Sequence, residues 1–139
     1  MCKRTPCAPG YGCLHSPAVG AQVTVLVVDD DPSIRLLCRI NLELDGYDVA
    51  EAGTLAQARA IIAERRPDVV VLDVHVAGGD GRALLAELRE TRPGLPVALL
   101  TGTADREELL RAGADALIPK PFTIEELRET VERLGSREA

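Results

Sequence analysis

From Val23 onward the chain alternates short, almost purely apolar runs with longer stretches in which apolar residues recur every three or four positions. Runs of the first kind read as strands covered on both faces, and stretches of the second kind as amphipathic helices packed on them. Five such βα units follow one another, which predicts an α/β domain built on a parallel sheet. The first strand covers 23–28, and Asp31 before Pro32 reads as an N-cap with proline at the first helical position. Ile34, Leu37, Cys38 and Leu42 give the first helix its apolar face, and Gly46 ends it. "YDVAEA" supplies the second strand. Thr54 with Gln57 forms a capping box for a helix carrying Leu55, Ala58 and Ile62, which ends before Pro67.

The third strand, "DVVVLD" at 68–73, shows no polar alternation and ends in a carboxylate. The loop "VHVAGGDG" leads to a helix over Gly81–Thr91 with Leu84, Leu85 and Leu88 on its apolar face, and Gly78, Gly79 and Gly81 read as turn residues. "LPVALLTG" is the fourth strand, "ADREELLRAGA" the fourth helix and "DALIP" a short fifth strand. Thr123 with Glu126 caps a last helix lined by Ile124, Leu127, Val131 and Leu134. The chain therefore divides into a leader at 1–22, a folded domain at 23–134 and a tail at 135–139, with no room for a second folded domain.

Composition narrows the picture. Hydrophobic residues make up 46% of the 139 but aromatics only 2%, so the core is aliphatic. The net charge of -6 argues against a nucleic-acid backbone as partner, because phosphate contacts need a basic face. No apolar run approaches the roughly 18–20 residues that cross a bilayer, and the leader lacks a signal-peptide core; the expected location is the cytoplasm. Cys2, Cys7, Cys13 and His15 could form a Cys3His zinc site, but their spacing fits no familiar zinc module, and a flexible leader is the plainer reading. Cys38 reads as an inert core thiol.

Open parallel sheets bind ligands at the carboxyl ends of their strands. Here those ends carry Asp29, Asp30 and Asp31, then Asp73, then Thr101 and Gly102, then Lys120. With "VLVVDDDPSIR", "VVVLDVHVAGGDG", "PVALLTG" and "GADALIPKPF" in this order, residues 23–134 resemble the receiver domain of bacterial two-component response regulators. The resemblance implies a flavodoxin-like (βα)5 fold, doubly wound, with a five-stranded parallel sheet in the order 2-1-3-4-5. It implies that Asp73 accepts a phosphoryl group from a sensor histidine kinase or a His-containing phosphotransfer protein. Asp29, Asp30, Asp73 and the backbone carbonyl of His75 would hold Mg2+, with Mn2+ as the alternative ion, and Thr101 and Lys120 would contact the phosphoryl oxygens. Lys120-Pro121 would be cis, and His75 and Thr103 would tune hydrolysis of the acyl phosphate. Crowded carboxylates repel, and a hard dication that prefers oxygen relieves that repulsion.

Two positions depart from the family pattern. Val76-Ala77 stands where Met-Pro is usual, and Leu117 occupies the switch position usually held by an aromatic ring, which puts transmission through that face in doubt. The function implied is a stand-alone receiver acting through an unnamed protein effector, without direct nucleic-acid or membrane contact and with phosphorylation-dependent homodimerisation left open. The alternatives are a magnesium-dependent aspartyl phosphohydrolase, in which His75 would stand where a second acid is wanted, and a non-phosphorylated pseudo-receiver adaptor. A flavodoxin-like cofactor carrier shares the topology, but "DDDPS" would repel a phosphate.

Overall fold

The computed structural model describes residues 22–77, 79–102 and 106–136. The leader cysteines, His15, Gly78 and Thr103 lie outside the described residues. In chain order the elements are β1 (Thr24–Val28), α1 (Pro32–Leu44), β2 (Asp48–Ala52), α2 (Leu55–Arg65), β3 (Val69–Asp73), β4 (His75–Val76) and β5 (Gly79–Asp80). They continue as α3 (Gly81–Thr91), β6 (Val97–Thr101), α4 (Arg106–Arg111), β7 (Ala116–Pro119) and α5 (Ile124–Ser136). Five strands form one parallel sheet in the order β2-β1-β3-β6-β7, which is the doubly wound 2-1-3-4-5 order once the small β4-β5 hairpin is set apart.

Side chains leave a strand on alternate faces, so each apolar run feeds two cores. Leu26, Val28, Val70, Leu72, Val97 and Leu99 pack on one side of the sheet with Ile62 of α2 and Leu84, Leu85 and Leu88 of α3. Val25, Val27, Val69, Val71, Ala98 and Leu100 pack on the other with Cys38 and Leu42 of α1 and Leu127, Val131 and Leu134 of α5. The buried residues of both layers are aliphatic apart from Cys38, and the rings of Tyr47 and Phe122 pack partly buried against the second layer. Burial pushes the Cys38 thiol up to about 12, aided by the nearby negative charge of Asp29, so it stays protonated and unreactive at neutral pH.

Local signals fix the helix ends. The Asp31 carboxylate accepts from the Ser33 amide at 2.9 Å. Past the other end of α1, the Gly46 and Tyr47 amides donate back to the Glu43 and Leu42 carbonyls, with Gly46 at φ 97°. That is the left-handed termination glycine allows. Thr123 and Glu126 exchange both capping bonds. At α2 the Thr54 hydroxyl accepts from the Gln57 amide as expected, but the Gln57 side chain takes the Gly53 amide, one residue earlier than a capping box requires.

Three sequence expectations change. Leu37 is 42% exposed rather than part of the buried face of α1, because the helix meets the sheet along the narrower Cys38–Leu42 stripe. The stretch after β3 contains the antiparallel β4-β5 hairpin, pairing His75 with Asp80 and Val76 with Gly79, with Val76 buried. Two-residue strands are too short to leave a period in the sequence. The fourth helix, described over Arg106–Arg111, ends before residues 112–114, the last part of the stretch expected to be helical.

Leu26 is fully buried on the interior strand β1, whereas Leu44 is 77% exposed. Leu26→Ala should cost about 2–5 kcal/mol in urea unfolding, and Leu44→Ala no more than about 0.5 kcal/mol. Comparable losses would contradict the placement of the core.

Candidate functional site

β1 and β3 lie side by side, so the residues that follow Val28 and Leu72 emerge at the same edge of the sheet. Asp29, one residue past β1, is still tied to the sheet by its amide, which donates to the Ala52 carbonyl at 3.1 Å. Its side chain is 1% exposed, while Asp30 points to solvent. Asp73 ends β3 and is buried. One carboxylate oxygen from each of Asp29, Asp30 and Asp73 lies within 4.8 Å of the others.

Lys120 enters from beyond β7. Its amide donates to the Thr101 carbonyl at 2.8 Å, and the Lys120-Pro121 peptide is cis. Its Nζ donates to Asp73 Oδ2 at 3.1 Å and to Asp29 Oδ2 at 3.3 Å. Backbone amides hold three of the other four oxygens: Asp31 N–H donates to Asp29 Oδ1, His75 N–H to Asp73 Oδ1, and Ala77 N–H to Asp30 Oδ2. Three carboxyl groups thus face one ammonium, a formal excess of acid over base. An all-oxygen donor set with that excess fits a hard divalent cation of the magnesium type.

Burial drives the Asp29 carboxyl above its ordinary range, and the negative charge of Asp73 adds to the shift. The Asp31 amide and Lys120 oppose it without cancelling it. For Lys120, burial alone would favour the neutral amine. The hydrogen bonds and charges of Asp73 and Asp29 outweigh it and hold the ammonium above its usual value. The pocket thus keeps its cation firmly protonated and penalises at least one of its anions.

The structure brings together Asp29, Asp30, Asp73 and Lys120, and Thr101 sits buried at the end of β6, the strand beside Asp73. Asp31 is the α1 cap, outside the carboxylate cluster. His75 opens the hairpin with its side chain exposed, and its amide is the atom that reaches Asp73. A groove of ≈ 720 Å³ between α2 and α3, lined by Arg59, Ile62, Arg66, Leu88 and Arg92 among others, contains none of these residues.

Two contributors escaped the sequence reading. Gly81 is a close-approach residue rather than a turn residue: a Cβ there would lie 2.2 Å from the Asp73 carbonyl oxygen, and its amide donates to the Val74 carbonyl at 2.7 Å. Only glycine lets α3 begin against the end of β3, and the one sequence trace is its position directly before the α3 apolar stripe. Arg35, in the first turn of α1, donates from Nη1 to the Asp29 carbonyl at 2.7 Å. In the sequence it resembles any solvated helix charge.

Residues 25–132 match the family described as response regulator receiver domain. The "Probable transcriptional regulatory protein TcrX" of Mycobacterium tuberculosis is 43% identical over 125 residues, covering 85% of this chain and 53% of that protein. "Response regulator MprA" of Mycobacterium sp. (strain KMS) is 44% identical over 108 residues, covering 76% and 47%. The chain thus spans about half the length of each of these regulators. Among solved structures, the receiver domain of Francisella response regulator 1452 superposes with a TM-score of 0.80 at 33% identity, over 85% of this chain and 100% of that one.

Because the folded state raises the Asp29 pKa, the stability this carboxyl contributes is present below its ordinary value of 3.8 and is lost as pH rises through the raised one. In metal-free buffer the wild type should therefore lose stability relative to Asp29→Asn as pH rises above 3.8, until the raised pKa has been passed. Urea midpoints across that range test this, and a pH-independent difference would contradict it.

Proposed function

Because the chain belongs to the response regulator receiver domain family, we propose that Asp73 is its phosphoryl acceptor, served by a phosphohistidine on a sensor histidine kinase or a His-containing phosphotransfer protein. The observation that carries this reading is the convergence on the Asp73 carboxylate of two further acids and one ammonium from separate strand ends.

In the transfer, an Asp73 oxygen forms a bond to phosphorus as the P–N bond of the donor breaks. The electron pair of that bond stays on the donor imidazole, which takes a proton. A carboxylate suffices as nucleophile because the phosphoryl group passes through a loose transition state, and positioning with charge stabilisation does most of the work. Lys120 Nζ, already bonded to Asp73 Oδ2, lies where charge develops on the phosphoryl oxygens, and the Thr101 hydroxyl supplies a second donor. The His75 amide holds Asp73 Oδ1 and so fixes the plane of the nucleophile.

Asp29, Asp30, Asp73 and the His75 carbonyl would hold Mg2+, or Mn2+ in its place. When bound, the ion supplies positive charge that screens the carboxylates from the incoming phosphoryl group. The acyl phosphate then hydrolyses by in-line attack of water, a step whose rate His75 and Thr103 tune. Output runs through phosphorylation-dependent contact with another protein surface, a downstream effector or a second receiver. Among the described residues no helix is long and apolar enough to cross a membrane, and the charge of -6 gives no support to direct nucleic-acid contact by this domain. We place the domain in the cytoplasm, where such donors act.

Incubation with magnesium and acetyl phosphate should add one acid-labile phosphoryl group by intact mass, absent from Asp73→Asn. Lys120→Ala should slow the addition by about 10²-fold, the usual scale for one lost charge-stabilising donor. Phosphoryl addition that persists in Asp73→Asn, or sustained turnover of phosphate esters, would contradict the reading.

A further inference from the structure

Beneath the loop that carries Asp29 and Asp30, the Arg35 guanidinium joins β1 to β2. Nη1 donates to the Asp29 carbonyl at 2.7 Å while Nε donates to Glu51 Oε1 at 3.2 Å. Glu51, on β2, gives its other oxygen to Arg39 Nη1 at 2.8 Å, so the carboxylate is held from both sides. Arg35 and Glu51 side chains are only 20% and 24% exposed, unlike the open pair between Arg128 and Asp45, which touches no site residue. Gly53 leaves the space for the fork: a Cβ there would lie 2.9 Å from Arg35 Nη1.

The Asp29 carbonyl and the Asp30 amide belong to one rigid peptide plane. Fixing that carbonyl fixes the axis from which the Asp30 side chain leaves the loop, so that only the φ rotation of Asp30 is left to direct it. Asp30 is the exposed member of the carboxylate trio, and among the described residues its side chain is held by the Ala77 amide alone, so its own surroundings restrain it least. Asp29 has burial and Lys120 to hold it, and Asp73 has His75 and Lys120.

We infer that Arg35, braced by Glu51 and admitted by Gly53, is the positioning residue of the cation site. It sets the Asp29-Asp30 peptide so that the Asp30 carboxylate meets those of Asp29 and Asp73. The inference rests on the proposed cation role of the three acids. It requires a planar fork that reaches two acceptors at once, which a lysine ammonium does not reproduce.

The test is calorimetric titration of MgCl2 into the metal-free 139-residue chain, with thermal melts in parallel. Arg35→Met and Gly53→Ala should each weaken Mg2+ binding by about tenfold or more, the scale usual for residues that orient metal ligands. Arg35→Lys should fall between them and the wild type, and Arg128→Met should leave affinity unchanged. Gly53→Ala keeps every charge and displaces only the end of a flexible side chain, so it reads geometry where Arg35→Met also alters charge. Lower melting temperatures with unchanged Mg2+ affinity in both variants would overturn the inference while leaving the cation site standing. Failure of the wild type to bind Mg2+ would overturn the reading of the site itself, and the inference with it.

Discussion

Asp29 and Asp73 are buried acids whose carboxylates lie close to each other and to that of Asp30, and one ammonium holds the first two together. Crowding like charges where water is scarce is costly, so this arrangement constrains everything around it. The adjacency of β1 and β3 forces the acids together. Lys120 arrives through the turn that follows β7, bonded by its own amide to Thr101, so the ammonium, the hydroxyl and the acids occupy one edge of one sheet. Three acids gathered against a single ammonium are the feature on which the proposed cation site rests.

The same edge explains the rigidity of the surroundings. Asp29 and Asp73 each take a backbone amide on one oxygen and the ammonium on the other, so neither can rotate without breaking a charge-assisted bond. α3 starts in contact with the Asp73 carbonyl at Gly81, which couples Asp73 to the helix that covers one face of the sheet. Leu117 is half-buried against that same core layer rather than presenting a ring at the surface. A branched aliphatic side chain packed in this way has no rotamer that swings a large plane between core and solvent, so signalling through β7 would have to proceed by shifts of backbone and helix packing.

Much of this was legible in the sequence because parallel strands carry an unusually plain signal. "LVV" and "VVVL" are apolar at every position, which only a strand buried on both faces requires, and each run stops at the acid that matters. Caps at Asp31, Thr54 and Thr123 could be read because their chemistry is local. What escaped was decided by partners distant in sequence. Nothing in "DDD" shows that Asp29 is buried and Asp30 exposed; the hydrogen bond from Asp29 to Ala52 decides it. Leu36, Leu37 and Ile40 lie exposed on α1 although their spacing suits a core face, because the helix turns Cys38 and Leu42 to the sheet instead. Gly81 and Arg35 draw their roles from backbone atoms of β3 and β1, which no spacing rule reveals.

The central claim is that the strand-end acids, and not acidity in general, form the cation seat. A second acidic surface provides an internal control: Asp45, Glu125, Glu129 and Glu132 line a groove beside Arg128 on the α5 side. Paramagnetic broadening of backbone amide signals during a substoichiometric Mn2+ titration locates the ion directly. The account predicts that the amides of Asp29, Asp30, Asp73 and His75 broaden first, while those around Glu129 stay sharp. Broadening centred on the Glu125–Glu132 groove, or spread evenly over both surfaces, would contradict it.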